Sequence, residues 1–203
     1  MKLYYSPSAC SLSPHIVANE LGLPIELVKV DTVAKRTEHG EDFLAVNPKG
    51  LVPALRLDDG TVLTEGPAVV QYLADLKPDA QLAPANGSMA RYRLQEMLGY
   101  INSELHQNYM PMFNPACSEE VRNSRMAQLK KRYSLLEAAL GRTPFLLGDR
   151  FTVTDAYLFV VTRWAEFVKL DLSAFPNLLA FQARIAARPA VQAAMRREQP
   201  ASA

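Results

Sequence analysis

The stretch NPKGLVPALRLDDGTVLTEGPAVVQYLAD, residues 47–75, decides how the first part of the chain folds. Two short apolar runs flank Asp58-Asp59-Gly60, a composition typical of a tight turn between paired strands. After the second run, Gly66-Pro67 begins an apolar segment with helical spacing. Proline is tolerated there because the first amides of a helix have no partner within the helix. The stretch therefore predicts a β-hairpin followed by a helix that ends near residue 76.

Toward the N-terminus, strand and helix signals alternate along the sequence. The predicted elements are a strand at 2–5, a helix at 11–21 before Gly22, a strand at 26–30, and a loop with a short helix at 32–46. Together with the hairpin and its helix, this order predicts a small α/β domain with a mixed four-stranded sheet over residues 1–77.

The strand signals stop after this domain. Residues 78–87 are rich in Pro, Ala, Asn and Gly, which is typical of a linker. Residues 88–203 show helical spacing throughout and are expected to form an all-α domain. Its predicted helices lie at about 88–111, 119–140, 154–169, 176–187 and 189–196.

The composition excludes several classes of function. The chain has 22 basic and 21 acidic residues, and a formal charge of +1 gives no sustained field for nucleic acid or an anionic membrane surface. No export signal is visible, and no run approaches the roughly 18 apolar residues of a membrane span. Cys10 and Cys117, the only cysteines, match neither a disulfide framework nor a zinc spacing. We therefore expect a cytoplasmic protein with no metal, no nucleic acid and no membrane partner.

Cys10 is the first candidate for chemistry, because it lies between the first predicted strand and the first predicted helix. The unpaired amides and the positive end of a helix N-terminus lower the pKa of a nearby thiol. The motif Cys10-Ser11-Leu12-Ser13 has no second cysteine, so it favours ligand binding or a mixed disulfide over dithiol exchange. The alternative, a buried and unreactive cysteine, stays open.

The hairpin carries two further candidates. Pro53 stands where a strand begins, although it cannot donate to a ladder, and a cis bond after Val52 would explain its position. The backbone groups of Val52 could then pair with an extended peptide. Glu65 and the Gly66 amide offer complementary partners for the ammonium and carboxylate of a zwitterion. An ordinary trans proline and an acid that merely favours a helix N-terminus are the alternatives.

Two patterns stand out in the helical part. A stripe at helical spacing is either a shoulder of the core or the wall of a cleft; its members are Asn102, His106, Tyr109 and Phe113. The segment from Thr152 to Asp155 has the form of a capping box, and we expect it to begin a buried helix that carries Trp164.

Taken together, these pieces resemble the glutathione transferase family along essentially the whole chain, and its bacterial beta class in particular. The resemblance lies in the order and spacing of several motifs. They are MKLYYSPSACSLSPHI, NPKGLVPAL, LTEGPAVVQYLAD, Ser103-Glu104-Leu105-His106 and FTVTDAYLF. It implies a thioredoxin-like N-terminal domain, glutathione as co-substrate and a homodimer.

The resemblance also implies roles for individual residues. Cys10, Ser11 and His106 would stabilise the thiolate of glutathione, which attacks a small hydrophobic electrophile. The residues that would bind glutathione are Cys10, Lys35, Val52, Pro53, Glu65, Gly66, Asn102, Glu104 and His106. Of these, Asn102 and Glu104 are positions through which the neighbouring subunit reaches the site. The electrophile is expected between the domains, against aromatic side chains; these are Tyr109, Phe113, Trp164 and Phe167.

Two departures from the beta-class pattern are visible. Gln107 stands where many members carry lysine. The glycine carboxylate of glutathione would therefore depend more on Lys35 for its binding. Ser8 replaces a glycine or similar small residue.

Two other functions stay open: a glutathione-dependent thiol transferase or reductive dehalogenase that uses Cys10 covalently, and a non-catalytic interaction module with this fold.

Overall fold

The computed structural model describes residues 1–199, which divide into two compact units. The first unit contains Met1–Ala83 together with residues 187–199, and the second contains Pro84–Ala186. The first combines a sheet with helices, whereas the second is built of helices.

The first unit contains a mixed five-stranded sheet. Its strands are β1 (Lys2–Tyr5), β2 (Glu26–Asp31), β3 (Arg36–Thr37), β4 (Ala54–Arg56) and β5 (Val62–Thr64). They lie in the order β3-β2-β1-β4-β5, with β1 parallel to β2 and every other neighbouring pair antiparallel. The mixed sheet is as predicted, but the count of four strands was wrong. The extra strand, β3, has two residues, too few to show an alternating pattern in the sequence.

The helices follow the predicted order with some changes of boundary. They are α1 (Leu12–Glu20), α2 (Phe43–Val46), α3 (Gly66–Asp75), α4 (Met89–Tyr100), α5 (Gln107–Tyr109), α6 (Glu119–Leu140), α7 (Val153–Val168), α8 (Pro176–Ala186) and α9 (Pro189–Glu198). Within residues 1–199, none of them is both long and apolar enough to cross a membrane.

Apolar side chains on both faces of the sheet hold the first unit together. On one face, Tyr4 packs on Phe43 of α2 with ring centroids 5.6 Å apart, beside Val28 and Val30. Helix α3 buries a stripe of apolar residues completely; its members are Val69, Val70 and Leu73. Each buried side chain of this size stabilises the fold by about 1.5–3 kcal/mol. This packing fixes the ends of the strands, where the candidate site residues lie.

The last helix, α9, packs on α1 in the first unit. Arg188 donates two hydrogen bonds to the carboxylate of Glu20, at 2.6 and 2.9 Å. Nδ1 of His15 lies 2.9 Å from a carboxylate oxygen of Glu198, and both side chains are buried. The helical spacing of the sequence had instead predicted that α9 belongs to an all-α domain over residues 88–203. An apolar stripe shows that a helix has a buried face, but not which neighbour covers it.

In the second unit, the helix predicted over residues 88–111 is interrupted. Helix α4 continues into a π-helical segment, Ile101–His106, which is followed by α5 and a 3₁₀ turn, Met110–Phe113. The wider π turn rotates the side chains that follow it, and such segments are frequent at functional sites. The segment contains three of the residues that the resemblance assigns to the site: Asn102, Glu104 and His106.

The predicted capping box of α7 is confirmed. The carboxylate of Asp155 accepts hydrogen bonds from the amides of Thr152, at 2.8 Å, and of Leu146, at 2.9 Å. Burial raises the pKa of Asp155 to about 6, against the lowering effect of these hydrogen bonds. Asp155 therefore ties the start of α7 to the preceding loop, which is a structural role, as expected.

Candidate active site

One edge of the sheet brings three segments of the first unit together. In the register of the strands, Tyr4 of β1 lies opposite Ala54 of β4, and Ala54 lies opposite Thr64 of β5. The chain leaves β1 toward Cys10 at this edge. The pairing places the residues just before β4 and just after β5 there as well. Segments that are distant in the sequence therefore meet at this edge.

Cys10 lies in the turn before α1, and its sulfur donates a hydrogen bond to the carbonyl oxygen of Val52 at 3.2 Å. Although part of the residue is exposed, burial raises the pKa of its thiol to about 12, more than the amides of Cys10 and Ser11 lower it. The prediction of a lowered thiol pKa was therefore wrong, because desolvation outweighs the helix N-terminus. At neutral pH, the thiol of Cys10 is therefore protonated.

Ser11 is fully buried as the N-cap residue of α1, but its hydroxyl does not cap the helix. The hydroxyl oxygen accepts a hydrogen bond from the Ser6 amide at 3.1 Å and donates one to the Ser6 carbonyl at 3.2 Å. These two contacts close the loop that carries Cys10. Its direct role toward the sulfur of glutathione stays a prediction.

The peptide bond between Val52 and Pro53 is cis, as predicted. Pro53 is buried, whereas Val52 is partly exposed. The carbonyl of Val52 accepts the hydrogen bond of Cys10, and none of residues 1–199 accepts one from its amide. An extended ligand could therefore pair with the Val52 amide in the way of an added strand.

The turn that leads to Val52 is organised by Asn47, which is 2% exposed. Its side-chain amide donates to the Leu51 carbonyl at 2.7 Å, and its backbone carbonyl accepts from the Gly50 amide at 2.8 Å. Nζ of Lys35 donates a hydrogen bond to the Gly50 carbonyl at 2.8 Å. The Lys35 side chain also packs against Gly50, because a Cβ on Gly50 would lie 3.2 Å from two of its carbons. The predicted carboxylate-binding lysine is thus held against this turn.

Glu65 joins β5 to α3 with a φ of +69° and a ψ of +116°. A residue with a side chain rarely adopts this conformation, and such strain is frequent at functional sites. Gly66 is the first residue of α3, so its amide is one of the donors that a helix leaves without an internal partner. The carboxylate of Glu65 accepts a hydrogen bond from Nζ of Lys49 at 2.7 Å.

Lys49 was not among the site residues predicted from the sequence. Its ammonium donates to Oγ1 of Thr64 at 2.9 Å as well as to Glu65. The signal that could have found it is the hairpin itself, because Lys49 lies in the loop before β4 and Glu65 directly follows β5, the partner strand of β4.

In the helical unit, His106, Tyr157 and Asn102 form a hydrogen-bonded series. The hydroxyl of Tyr157 donates to Oδ1 of Asn102 at 2.9 Å and lies 2.7 Å from Nδ1 of His106. Since the hydroxyl has one proton and gives it to Asn102, Nδ1 of His106 must be the donor in the second contact. In the neutral ring, the proton is then on Nδ1, and Nε2 is a proton acceptor.

Glu104, the third of these predicted residues, has a partner within the chain. A carboxylate oxygen of Glu104 lies 2.6 Å from Nε of Arg132, and both side chains are partly exposed. Its backbone carbonyl accepts a hydrogen bond from Asn108 at 2.7 Å. Gln107 is exposed and provides no charge beside them.

Trp164 is the centre of an aromatic cluster in the helical unit. Edge-to-face contacts join it to His106, Tyr109 and Phe113, with centroids 4.7, 5.8 and 5.5 Å apart. Trp164 is 4% exposed, while Phe113 and Phe167 are 41% and 57% exposed. The predicted electrophile residues therefore include exposed rings as well as buried ones.

Tyr109 belongs to the buried part of this cluster. Its ring is 0% exposed, and its hydroxyl lies 2.9 Å from that of Tyr133, which donates to Thr162 at 3.3 Å. Burial holds the pKa of Tyr109 far above its usual value. The ring supports Trp164 from inside the unit, and a direct contact with the electrophile stays a prediction.

Comparison with known protein families gives matches to both units. The family model described as Glutathione S-transferase, N-terminal domain, matches residues 7–76, and the one described as Glutathione S-transferase, C-terminal domain, matches residues 100–189. The chain is 50% identical over 198 residues to Glutathione S-transferase GstA of Escherichia coli O157:H7, covering 98% of both chains.

Solved structures agree with these matches. The chain is 56% identical to the bacterial GST BphK in its ternary complex, with a TM-score of 0.96 over 98% of this chain and 99% of that one. It is 46% identical to a sphingomonad glutathione S-transferase complexed with glutathione, with a TM-score of 0.94 over 98% of both chains. It is also 46% identical to a beta-class enzyme of Sphingomonas chungbukensis, with a TM-score of 0.95 over 98% of both chains. The chain therefore belongs to the glutathione S-transferase family, in the bacterial beta class that its sequence motifs indicated.

Proposed function

We propose that the first unit binds glutathione as an extended peptide along the sheet edge defined above, for conjugation to small hydrophobic electrophiles. Glutathione transfer is the activity of the family, and the finer assignment of residues rests on the geometry of this edge. The Val52 amide pairs with the cysteinyl backbone, Glu65 and Gly66 bind the γ-glutamyl end, and Lys35 binds the glycine carboxylate. Cys10 is next to the glutathione sulfur.

The observation that carries this proposal is the contact between Cys10 and Val52. The thiol of Cys10 is protonated at neutral pH and lies 3.2 Å from the carbonyl of the residue whose amide would bind the ligand. When glutathione binds, the S–H of Cys10 turns from the Val52 carbonyl to the glutathione sulfur and donates its one hydrogen bond to the thiolate, which favours the nucleophilic form of glutathione. Cys10 then stabilises the nucleophile, and glutathione provides it.

The same observation argues against the covalent alternative. A thiol transferase or reductive dehalogenase of the kind considered above needs Cys10 itself to attack as a thiolate. Because the pKa of Cys10 is about 12, almost none of its thiol is a thiolate at neutral pH. We therefore favour conjugation.

The electrophile is expected to contact the aromatic cluster of the helical unit. Phe113 and Phe167 offer exposed faces for a planar apolar group, and Trp164 packs beside Phe113. His106 is part of the same cluster, and in its neutral ring Nε2 is a proton acceptor. The roles of His106, Asn102 and Glu104 toward glutathione, and the homodimer in which they would act, rest on the family resemblance.

Calorimetric titration with glutathione tests the proposal. The unaltered protein should bind glutathione saturably, and Glu65→Ala should weaken binding about tenfold or more because the ammonium loses its charged partner. Glu26→Ala is the matched control, since Glu26 is also an exposed acid paired with a lysine of the first unit. No binding by the unaltered protein would contradict the proposal and favour the non-catalytic interaction module.

The covalent alternative has a separate test. Mass analysis of the protein after treatment with glutathione disulfide should show no lasting adduct on Cys10 at neutral pH. Conjugation by Cys10→Ala should be reduced but measurable, because Cys10 is not the nucleophile. Loss of all conjugation together with a stable adduct on the unaltered protein would overturn the role given to Cys10.

A further inference from the structure

Lys49 lies beside the residue that is proposed to bind the amino end of glutathione. Its Nζ is 2.7 Å from Oε1 of Glu65 and 2.9 Å from Oγ1 of Thr64. The side chains of Lys49 and Glu65 are 53% and 63% exposed, so a ligand can reach both. An ammonium has three protons, and these two oxygens account for two of them.

The backbone that carries Lys49 is firmly placed. The Lys49 amide donates to Oδ1 of the buried Asn47 at 3.2 Å, while Nδ2 of Asn47 donates to the Leu51 carbonyl at 2.7 Å. Gly50 follows with a φ of +64°, a conformation that glycine adopts without strain. The turn therefore presents Lys49 next to Glu65 at one position, which lowers the entropy lost on contact with a ligand.

The γ-glutamyl end of glutathione has an ammonium and a carboxylate on the same carbon atom. When the ammonium contacts Glu65, the carboxylate must lie within a few bonds of it. Gly66 has no side chain, so it offers this carboxylate only the amide at the start of α3. A cation already in contact with Glu65 is in the right place to complete the recognition.

We propose that Lys49 binds the α-carboxylate of the γ-glutamyl residue, so that Glu65 and Lys49 together select a ligand with a free amino-acid end. The inference rests on the proposed binding of glutathione by the first unit. In the complex, the four charges alternate in sign: carboxylate of Glu65, ammonium of the ligand, carboxylate of the ligand and ammonium of Lys49.

The alternative role for Lys49 is to neutralise Glu65, and this role predicts the opposite change in affinity for glutathione. If Lys49 only neutralised Glu65, the ammonium of the ligand would have to compete with it, and removal of Lys49 would strengthen binding. The proposal predicts weaker binding instead. The sign of the change therefore separates the two roles.

The experiment is calorimetric titration of the full chain and of Lys49→Met with three peptides. They are glutathione, glutaryl-Cys-Gly, which lacks the α-ammonium, and 4-aminobutanoyl-Cys-Gly, which lacks the α-carboxylate. Lys49→Met should weaken the binding of the first two about five- to tenfold and leave the third unchanged. Lys49→Arg should keep most of the affinity for glutathione.

Lys2→Met is the control for a lost surface charge, since Lys2 forms a similar exposed pair with Glu26 at 3.0 Å in the same unit. It should leave all three affinities unchanged. An equal loss for all three peptides in Lys49→Met, no loss, or tighter binding of glutathione would each overturn the role of Lys49. Failure of the unaltered protein to bind glutathione would instead overturn the proposed function on which the inference rests.

Discussion

The hydroxyl oxygen of Tyr157 lies 2.7 Å from Nδ1 of His106, although the two residues are 51 positions apart in the sequence. Because Tyr157 gives its proton to Asn102, it fixes the proton of the neutral imidazole on Nδ1. Tyr157 is buried in α7, whereas His106 is partly exposed at the end of the π-helical segment. A side chain of the core thus determines which nitrogen of a surface histidine can accept a proton.

Tyr157→Phe should lower the kcat of conjugation about tenfold and leave the KM for glutathione nearly unchanged. The substitution removes the acceptor of the Nδ1 proton, so the imidazole can adopt either tautomer and either orientation. Steady-state kinetics with varied glutathione would measure both constants. Tyr100→Phe is the control, because it also removes a hydroxyl hydrogen bond from the helical unit, at 3.0 Å to the Arg132 carbonyl. Equal kinetic effects of the two substitutions would contradict a specific role for Tyr157.

Cys10 should react with iodoacetamide slowly, at a rate that rises about tenfold per pH unit up to at least pH 10. This follows because burial raises its pKa to about 12, so the thiolate fraction keeps growing throughout that range. The rate would be measured by mass analysis in a Cys117→Ser background, where Cys10 is the one remaining cysteine.

Cys10→Ser, which keeps Cys117, would show how much labelling comes from the other position. A plateau in the rate for Cys10 below about pH 9 would contradict the high pKa. It would also revive the covalent alternative, because a plateau marks complete ionisation of the thiol.

The stability contributed by Asp155 should fall as the pH rises. Its pKa is about 6 in the folded protein and near 3.9 in an unfolded chain, so the folded state binds the proton more tightly. The contribution is therefore fully present below about pH 3.9 and is lost as the pH rises through 6. The free energy of unfolding of the unaltered protein, relative to Asp155→Asn, should fall by up to about 3 kcal/mol over that interval.

Urea unfolding of both proteins at several pH values would measure this difference. Asp149→Asn, which changes an exposed carboxylate near the same helix, controls for general effects of pH. A difference between the unaltered protein and Asp155→Asn that stays constant or grows with pH would contradict the predicted sign.

The buried pair of His15 and Glu198 should anchor α9 to α1. Each of His15→Ala and Glu198→Ala should lower the free energy of unfolding by about 3 kcal/mol, because each leaves a buried polar partner without its contact. The double substitution should cost clearly less than the sum of the two. Urea unfolding of the four proteins gives this coupling, and additive effects would show that the pair contributes nothing jointly.

Much of the first unit could be predicted because its signals are local. The turn at Asp58-Asp59-Gly60, the cis bond before Pro53 and the start of α3 at Gly66 each depend on a few adjacent residues. The capping box at Asp155 is of the same kind. Each was found in the structure where the sequence placed it.

The features that were missed depend on contacts between distant residues. Strand β3 exists because Thr37 finds a partner in Val30, and α9 joins the first unit because Glu198 meets His15. The π-helical segment leaves no trace in the apolar spacing. These outcomes are decided by tertiary packing, which a single sequence does not display.

The same distinction applies to the candidate site. Cys10, Val52 and Glu65 have recognisable neighbours in the sequence, so they could be singled out. Lys49 looks like any solvated lysine of a loop until the hairpin places it 2.7 Å from Glu65. The thiol pKa of Cys10 could not be predicted either, because desolvation depends on the atoms that surround it.

The return of α9 to the first unit has a consequence for synthesis on the ribosome. Residues 1–83 emerge first, but the surface of α1 that receives α9 stays uncovered until the whole helical unit has been made. During that interval, His15 and the apolar residues around it are exposed to chaperones and to other nascent chains. The N-terminal unit is therefore the first to be synthesised and the last to be complete, and a ribosome that stalls before Arg188 leaves the α1 surface uncovered.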